Sequence, residues 1–154
     1  MKLAEALLER ARLQRQNREL VKYIEENLRL PEGEDPTGDP EELFRLYDKK
    51  MERLEELVRR INKTNCLTEM TSGRTLTDAI AKRDCLTSQV RVYNEIYKKL
   101  TEHYSGRYGE NYVKYLRHAD HKALKDNIDC LSQELSDLDT AIQGKNWTVD
   151  LLES

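Results

Sequence analysis

Hydrophobic residues recur at three- and four-residue steps along most of the chain, and the recurrence breaks at three places. Residues 3–28 carry Leu3, Ala6, Leu7, Leu13, Leu20, Val21, Ile24 and Leu28 in this spacing, which marks one face of a helix rather than a strand. The stretch "LPEGEDPTGDP" ends that helix, because its prolines and glycines cannot continue it. Asp39 then offers an N-cap, Pro40 fits the first helical position, and Glu42 stands three residues after the cap. The second helix has a seam of Phe44, Tyr47, Met51, Leu54, Val58 and Ile61, alternating steps of three and four. Asn65 occupies the next seam position, and there the apolar pattern stops.

The stretch "RINKTNCLTEMTSGRTLTDAIAKRD", residues 60–84, is crowded with Asn, Thr, Arg and Asp. Within it, Thr75-Leu76-Thr77-Asp78 has capping-box spacing, so a third helix begins near Leu76. Its stripe is Leu76, Ala79, Ile80, Leu86, Val90, Tyr93, Tyr97, Leu100 and Tyr104. Residues 105–119 break the pattern with two glycines and the alternating "YVKYL", which fits an extended arm or a helical turn. A fourth helix follows from about Asp120, with Leu124, Ile128, Leu131, Leu135, Leu138 and Ile142 at a/d spacing and Gly144 as its end. The predicted helices are residues 2–29, 40–65, 75–104 and 120–143, with 144–154 as a tail, in a single domain spanning 1–154. Each helix is roughly 37–45 Å long at about 1.5 Å per residue, and matched lengths favour side-by-side packing. The expected fold is all-α: long antiparallel helices in an up-down four-helix bundle with coiled-coil-like seams. The stripes are narrow, so an open pair of hairpins that completes its core by oligomerising is the competing arrangement.

Composition narrows the function more than the fold. A chain of 154 residues can bury a core without disulfides, and Cys66, Cys85 and Cys130 are odd in number and widely spaced. They read as reduced thiols of a cytoplasmic protein. The N-terminus has no uninterrupted apolar segment, so neither a signal peptide nor stable membrane association is expected. A net charge of −3 gives no case for nucleic acid, and no cofactor is predicted.

The segments "MKLAEALLERA", "RINKTN", "GRTLTDAIAKRD" and "NWTVDLL" together resemble the septicolysin-like family of small bacterial helical proteins, and the resemblance covers essentially the whole chain. Ile80 and Lys82 stand where that family's pattern has Leu and Arg. The resemblance implies a helical fold, and the family label implies a pore-forming cytolysin. No segment of the sequence reads as membrane-inserting.

In an antiparallel bundle these motifs meet at one end, which gathers Asn62, Asn65, Arg74, Thr75, Asp78, Lys82, Asn146 and Trp147. Two readings of this cluster compete. In the first, the residues terminate helices: Thr75 and Asp78 cap the third, Asn65 takes a left-handed C-terminal position, and Trp147 plugs the open end. In the second, Gly73-Arg74-Thr75 before a helix N-terminus binds an anion or another small ligand, with Arg74 and Lys82 as counter-charges. Asp78 works against the second reading, since it already answers the helix dipole. No catalytic residue is predicted: the cluster has no histidine, and Cys66 has no adjacent base.

The tyrosines lie toward the other end, with Tyr104, Tyr108, Tyr112 and Tyr115 as interface candidates. Tyr-rich basic stretches also stack on single-stranded nucleic acid, but the acidic loop at residues 25–42 opposes a polyanion. His103, His118 and His121 could gather around a metal, although loop histidines are more often only solvated, and no metal site is predicted. The functional expectation is a non-enzymatic, self-associating or partner-binding bundle, a homo-oligomer whose ligand the sequence does not name.

Overall fold

The computed structural model describes residues 1–71, 73–101 and 120–153. They form four helices: α1 (Leu3–Leu28), α2 (Pro40–Leu67), α3 (Leu76–Thr101) and α4 (His121–Thr148). The fold is all-α, of the helical-bundle class. The β-structure among the described residues consists of two isolated antiparallel bridges, Lys2 with Asp150 and Glu69 with Thr75. Contacts divide the chain into two compact units, Met1–Thr77 with Gln143–Ser154, and Asp78–Ile142.

In the first unit α1 and α2 form an antiparallel hairpin. The turn between them is built on Asn27, whose Oδ1 accepts from the backbone N–H of Thr37 at 2.9 Å and from its hydroxyl at 2.8 Å. The Asn27 amide donates to the Tyr23 carbonyl at 2.8 Å, so one buried side chain fastens the loop to the end of α1. Asp39 caps α2 by accepting from Glu41 N–H, with Pro40 at the first helical position, as its sequence predicts.

The core of this unit collects Leu3, Ala6, Leu13 and Ile24 from α1, Leu57, Ile61 and Thr64 from α2, and Leu76 and Leu151 beyond them. Side chains with no exposure at all (Leu3, Ala6, Ile61, Thr64 and Leu76) come from three stretches: the start of α1, "RINKTN" itself and the first residue of α3. The buried row of α2 is thus Leu57–Ile61–Thr64, rotated from the predicted seam and sharing only Ile61 with it. Phe44 and Met51 of that seam remain exposed. On α1, Asn17 is buried where the apolar spacing left a gap between Leu13 and Leu20. Its amide lies 3.3 Å from Met51 Sδ, and its Oδ1 is buried without a hydrogen-bond partner among the described residues.

The second unit pairs most of α3 with most of α4. Ala79, Leu86, Ile128 and Ile142 are buried, while Leu124, Leu131, Leu135 and Leu138 of the a/d run are half-buried. Lys82 pairs with Glu134, and Arg83 with Asp139 at 3.8 Å, which ties the start of α3 to the C-terminal half of α4 in antiparallel fashion.

Two helix ends differ from the sequence expectation. α2 continues through Asn65 to Leu67, and the extended residue Thr68 ends it, so Asn65 is not a left-handed terminal residue. α4 passes through Gly144 to Thr148. A glycine inside a helix costs only about 1 kcal/mol relative to alanine, and beyond it the Thr148 hydroxyl donates to the Gly144 carbonyl at 3.1 Å and Val149 N–H to the Lys145 carbonyl at 3.0 Å.

Candidate functional site

The polar stretch is one side of a closed end. The connection after α2 is a short β-like turn in which Met70 N–H donates to the Arg74 carbonyl at 2.7 Å and Leu76 N–H donates to the Thr68 carbonyl at 2.8 Å. Gly73 has φ +71°, a left-handed conformation that a side chain would strain, so the turn reverses there. Thr68 N–H returns to the Thr64 carbonyl at 2.9 Å, joining the turn to the last turn of α2.

Both ends of the described chain fold onto this region. Leu3 N–H donates to the Val149 carbonyl and Leu151 N–H to the Met1 carbonyl, each at 2.9 Å. The Lys2 ammonium donates to the Thr148 carbonyl at 3.0 Å and pairs with Asp150 at 2.9 Å, and it holds the Asp150 carboxyl below the usual carboxylate range. Lys2 N–H, at the head of α1, is answered by Glu5 at 2.7 Å.

Thr64 links the two halves of this arrangement. Its buried Oγ1 donates to the Arg60 carbonyl at 2.8 Å and accepts from Leu152 N–H at 3.0 Å. Arg60 Nε donates in turn to the Leu152 carbonyl at 3.1 Å, so α2 clamps the C-terminal segment with both a hydroxyl and a guanidinium. Neither the Thr64 clamp nor the pairing of the two chain ends is visible in periodicity. The hint in the sequence was that "RINKTN" and "NWTVDLL" share a pattern of polar groups without a place in a helix seam.

The candidate residues divide between the two units. Asn62, Asn65, Arg74, Thr75, Asn146 and Trp147 belong to the first, and Asp78 and Lys82 to the second. Asn62 and Arg74 are exposed, Asn65 is half-buried, and Asn146 is buried. Thr75 and Asp78 are both engaged. Lys82 is committed to Glu134. Trp147 does not plug the end: it is 57% exposed on α4, off the buried face that carries Ile142 and Asn146. Cys66, exposed, accepts a contact from the Thr77 hydroxyl at 3.5 Å.

Among the described residues no group of three His, Cys, Asp or Glu side chains is placed to hold a metal ion. His121 is exposed at the start of α4, while His103 and His118 lie outside the described residues, as do Tyr104, Tyr108, Tyr112 and Tyr115. No described helix is long and apolar enough to cross a membrane.

A family model described as a family of unknown function, DUF6847, matches residues 10–151. The chain belongs to the DUF6847 family. This DUF6847 protein is also similar to a crystal structure of a functionally unknown conserved protein from Corynebacterium diphtheriae, at 34% identity and a TM-score of 0.90, with 99% of each chain covered. No curated protein matches the sequence. Neither description carries the septicolysin label or a catalytic role.

Proposed function

We propose that this chain is a non-enzymatic, cytoplasmic, self-associating helical protein, and that it associates through its closed end. One observation carries the reading. Beside the bonded Lys2, Arg60, Thr64 and Asp150 of that end, large apolar side chains are left uncovered: Leu67 is 67% exposed, Trp147 57% and Leu152 38%. They are linked through bonded neighbours, since Leu152 N–H is held by Thr64, one turn before Leu67, and Trp147 precedes the Thr148 carbonyl that receives Lys2. Exposed tryptophan and leucine beside engaged polar groups is the composition of an interface centre. The exposed, unpaired thiols of Cys66, Cys85 and Cys130 support a reducing compartment.

Covering roughly 100 Å² of indole surface is worth about 2–3 kcal/mol. Sedimentation equilibrium of the wild type should therefore show a mass above 18.1 kDa that rises with concentration. Trp147→Glu should weaken the association by about thirtyfold or more. A strictly monomeric wild type at high micromolar concentration rejects the proposal. Dye release from liposomes at low protein concentration would favour instead the pore-forming activity that the septicolysin-like resemblance implies.

A further inference from the structure

The α1/α2 hairpin has two unlike sides. The buried row of α1 that meets α2 (Leu3, Ala6, Leu13, Asn17, Ile24 and Asn27) keeps a heptad spacing, and Leu7, Gln14, Val21 and Leu28 run beside it at steps of seven. On α2 the buried row is Leu57, Ile61 and Thr64, and Phe44, Met51 and Val58 run beside it, again at steps of seven. The 3.3 Å contact of Asn17 with Met51 puts these two flanking rows on one side of the hairpin, and the Glu9–Arg53 ion pair marks the other side. Apolar groups stay uncovered on the first side: Leu28 is 52% exposed, Phe44 49%, Met51 39% and Val21 36%.

The two outer edges of that side carry opposite charges. Arg15, Arg18 and Lys22 bracket the level of Asn17 along the α1 edge, and Asp48, Glu52 and Glu55 bracket Met51 along the α2 edge. All six are exposed, and none has an ion-pair partner among the described residues. Other cations of α2 lie elsewhere: Arg45 is bound to Glu41, Lys49 shares the opposite side with Arg53 one turn on, and Lys50, seven residues before Leu57, is half-buried in the row that faces α1. Arg59 ends the acidic run one turn beyond Glu55, as Glu25 ends the basic run one turn beyond Lys22.

We infer that this side of the hairpin receives the same side of a second copy, about a twofold axis parallel to the helices, so that α1 of each copy lies against α2 of the other. Rotation about that axis keeps every residue at its level along the hairpin. It brings Leu7 near Val58 and Val21 near Phe44 of the other copy, and it sets the basic run of each copy on the acidic run of the other, twice over. The four helices then alternate in direction, and two apolar rows too narrow for a core of their own close into a shared one. An axis across the helices would instead stack α1 on α1 and α2 on α2, with the basic runs against each other. The inference rests on the self-association proposed above and adds a second contact surface to it, whose charged residues all lie outside the closed end. The same axis brings the closed ends of both copies to one end of the pair, so the two surfaces are compatible.

Sedimentation equilibrium of the full-length chain tests this with two charge-reversed variants, Arg15→Glu/Arg18→Glu/Lys22→Glu and Asp48→Lys/Glu52→Lys/Glu55→Lys. Each variant alone carries one sign of charge on both edges and should associate at least about tenfold more weakly than wild type. Mixed in equal amounts, the two should form a one-to-one pair at least as tightly as wild type. The single variants Arg18→Glu and Asp48→Lys, both at exposed positions, should show the same pattern more weakly and serve if a triple variant is poorly folded. Charge variants that associate as wild type does, or a mixture no tighter than either variant alone, would overturn the inference. Trp147→Glu separates the two surfaces. If it weakens association and the charge variants do not, the closed end stands and the hairpin side fails; if the charge variants weaken association and Trp147→Glu does not, the hairpin side stands and the closed end fails. A wild type that stays monomeric at high micromolar concentration, as expected if this side serves a different protein, overturns both.

Discussion

Replacing Thr64 by valine keeps the shape of the side chain and deletes one oxygen. That oxygen is fully buried, donates to the Arg60 carbonyl at 2.8 Å and accepts from Leu152 N–H at 3.0 Å. The Arg60 carbonyl lies within the helix and loses only a supplementary donor. The Leu152 amide loses the acceptor that holds the C-terminal segment to α2. An amide left without its partner in a part-buried setting costs about 1–2 kcal/mol, and the added methyl returns little because the site is already filled. For a chain of this size the melting temperature should fall by roughly 2–8 °C. Thr64→Ser is the control: it keeps both bonds and loses one methyl, about 1 kcal/mol. Urea unfolding followed by circular dichroism gives the free energies, and hydrogen exchange at the Leu152 amide gives the local effect. The serine variant should retain protection there, and the valine variant should lose it. A valine variant as stable as wild type with a protected Leu152 amide would refute the role assigned to this hydroxyl.

Three further outcomes follow from other parts of the structure. Asn17→Leu removes a buried oxygen that has no partner and extends the apolar row between Leu13 and Ile24, so it should raise stability by about 1 kcal/mol or more in urea titrations; a lower midpoint would contradict it. Asn27→Ala removes the two acceptor bonds to Thr37 and the bond to the Tyr23 carbonyl, and should cost about 1–3 kcal/mol while speeding proteolysis within residues 29–39. Glu9 is held below the usual carboxylate range, first by its hydrogen bond from Arg12 and then by the charges of Arg12 and Arg53, and Asp150 is held down by Lys2. Both therefore contribute stability above their unfolded pKa values, near 4, and that contribution is lost as pH falls through the lower folded values. Acid titration should show Glu9→Gln unfolding with a shallower dependence on pH below about 4 than wild type, and identical profiles would argue against the pairing.

The helices were legible because their signals are local. Leu3, Leu13 and Ile24 repeat along one face, Asp39-Pro40 caps α2, and both lie within a few residues of what they specify. What the sequence left hidden depends on pairings across long separations. The spacing of Phe44, Tyr47, Met51 and Leu54 marks an apolar stripe but cannot say which edge of it meets α1, and burial of Leu57 and Thr64 shows that the contact is rotated. Asn17 and Asn27 broke the apolar pattern of α1, yet both are buried, one against Met51 and one as the anchor of a loop. Gly144 looked like an end because the tertiary burial that carries α4 past it is not encoded within one turn. For the candidate site, the meeting of "RINKTN", "GRTLT" and "NWTVDLL" followed from antiparallel topology, and their bonding to Lys2 and the chain ends did not. On one reading Trp147 plugs the open end because helix ends need covering, but its place on α4 leaves it 57% exposed.

The closed end ties α1, α2 and the C-terminal segment together through Lys2, Arg60 and Thr64, and the proposed self-association uses the apolar surface left exposed there. Trp147 is the single tryptophan of the chain, so its fluorescence reports on that surface without a label. Iodide quenching should be efficient in dilute protein and should fall as concentration rises, with a parallel blue shift of the emission. Quenching and emission that stay constant from nanomolar to high micromolar protein would contradict the account.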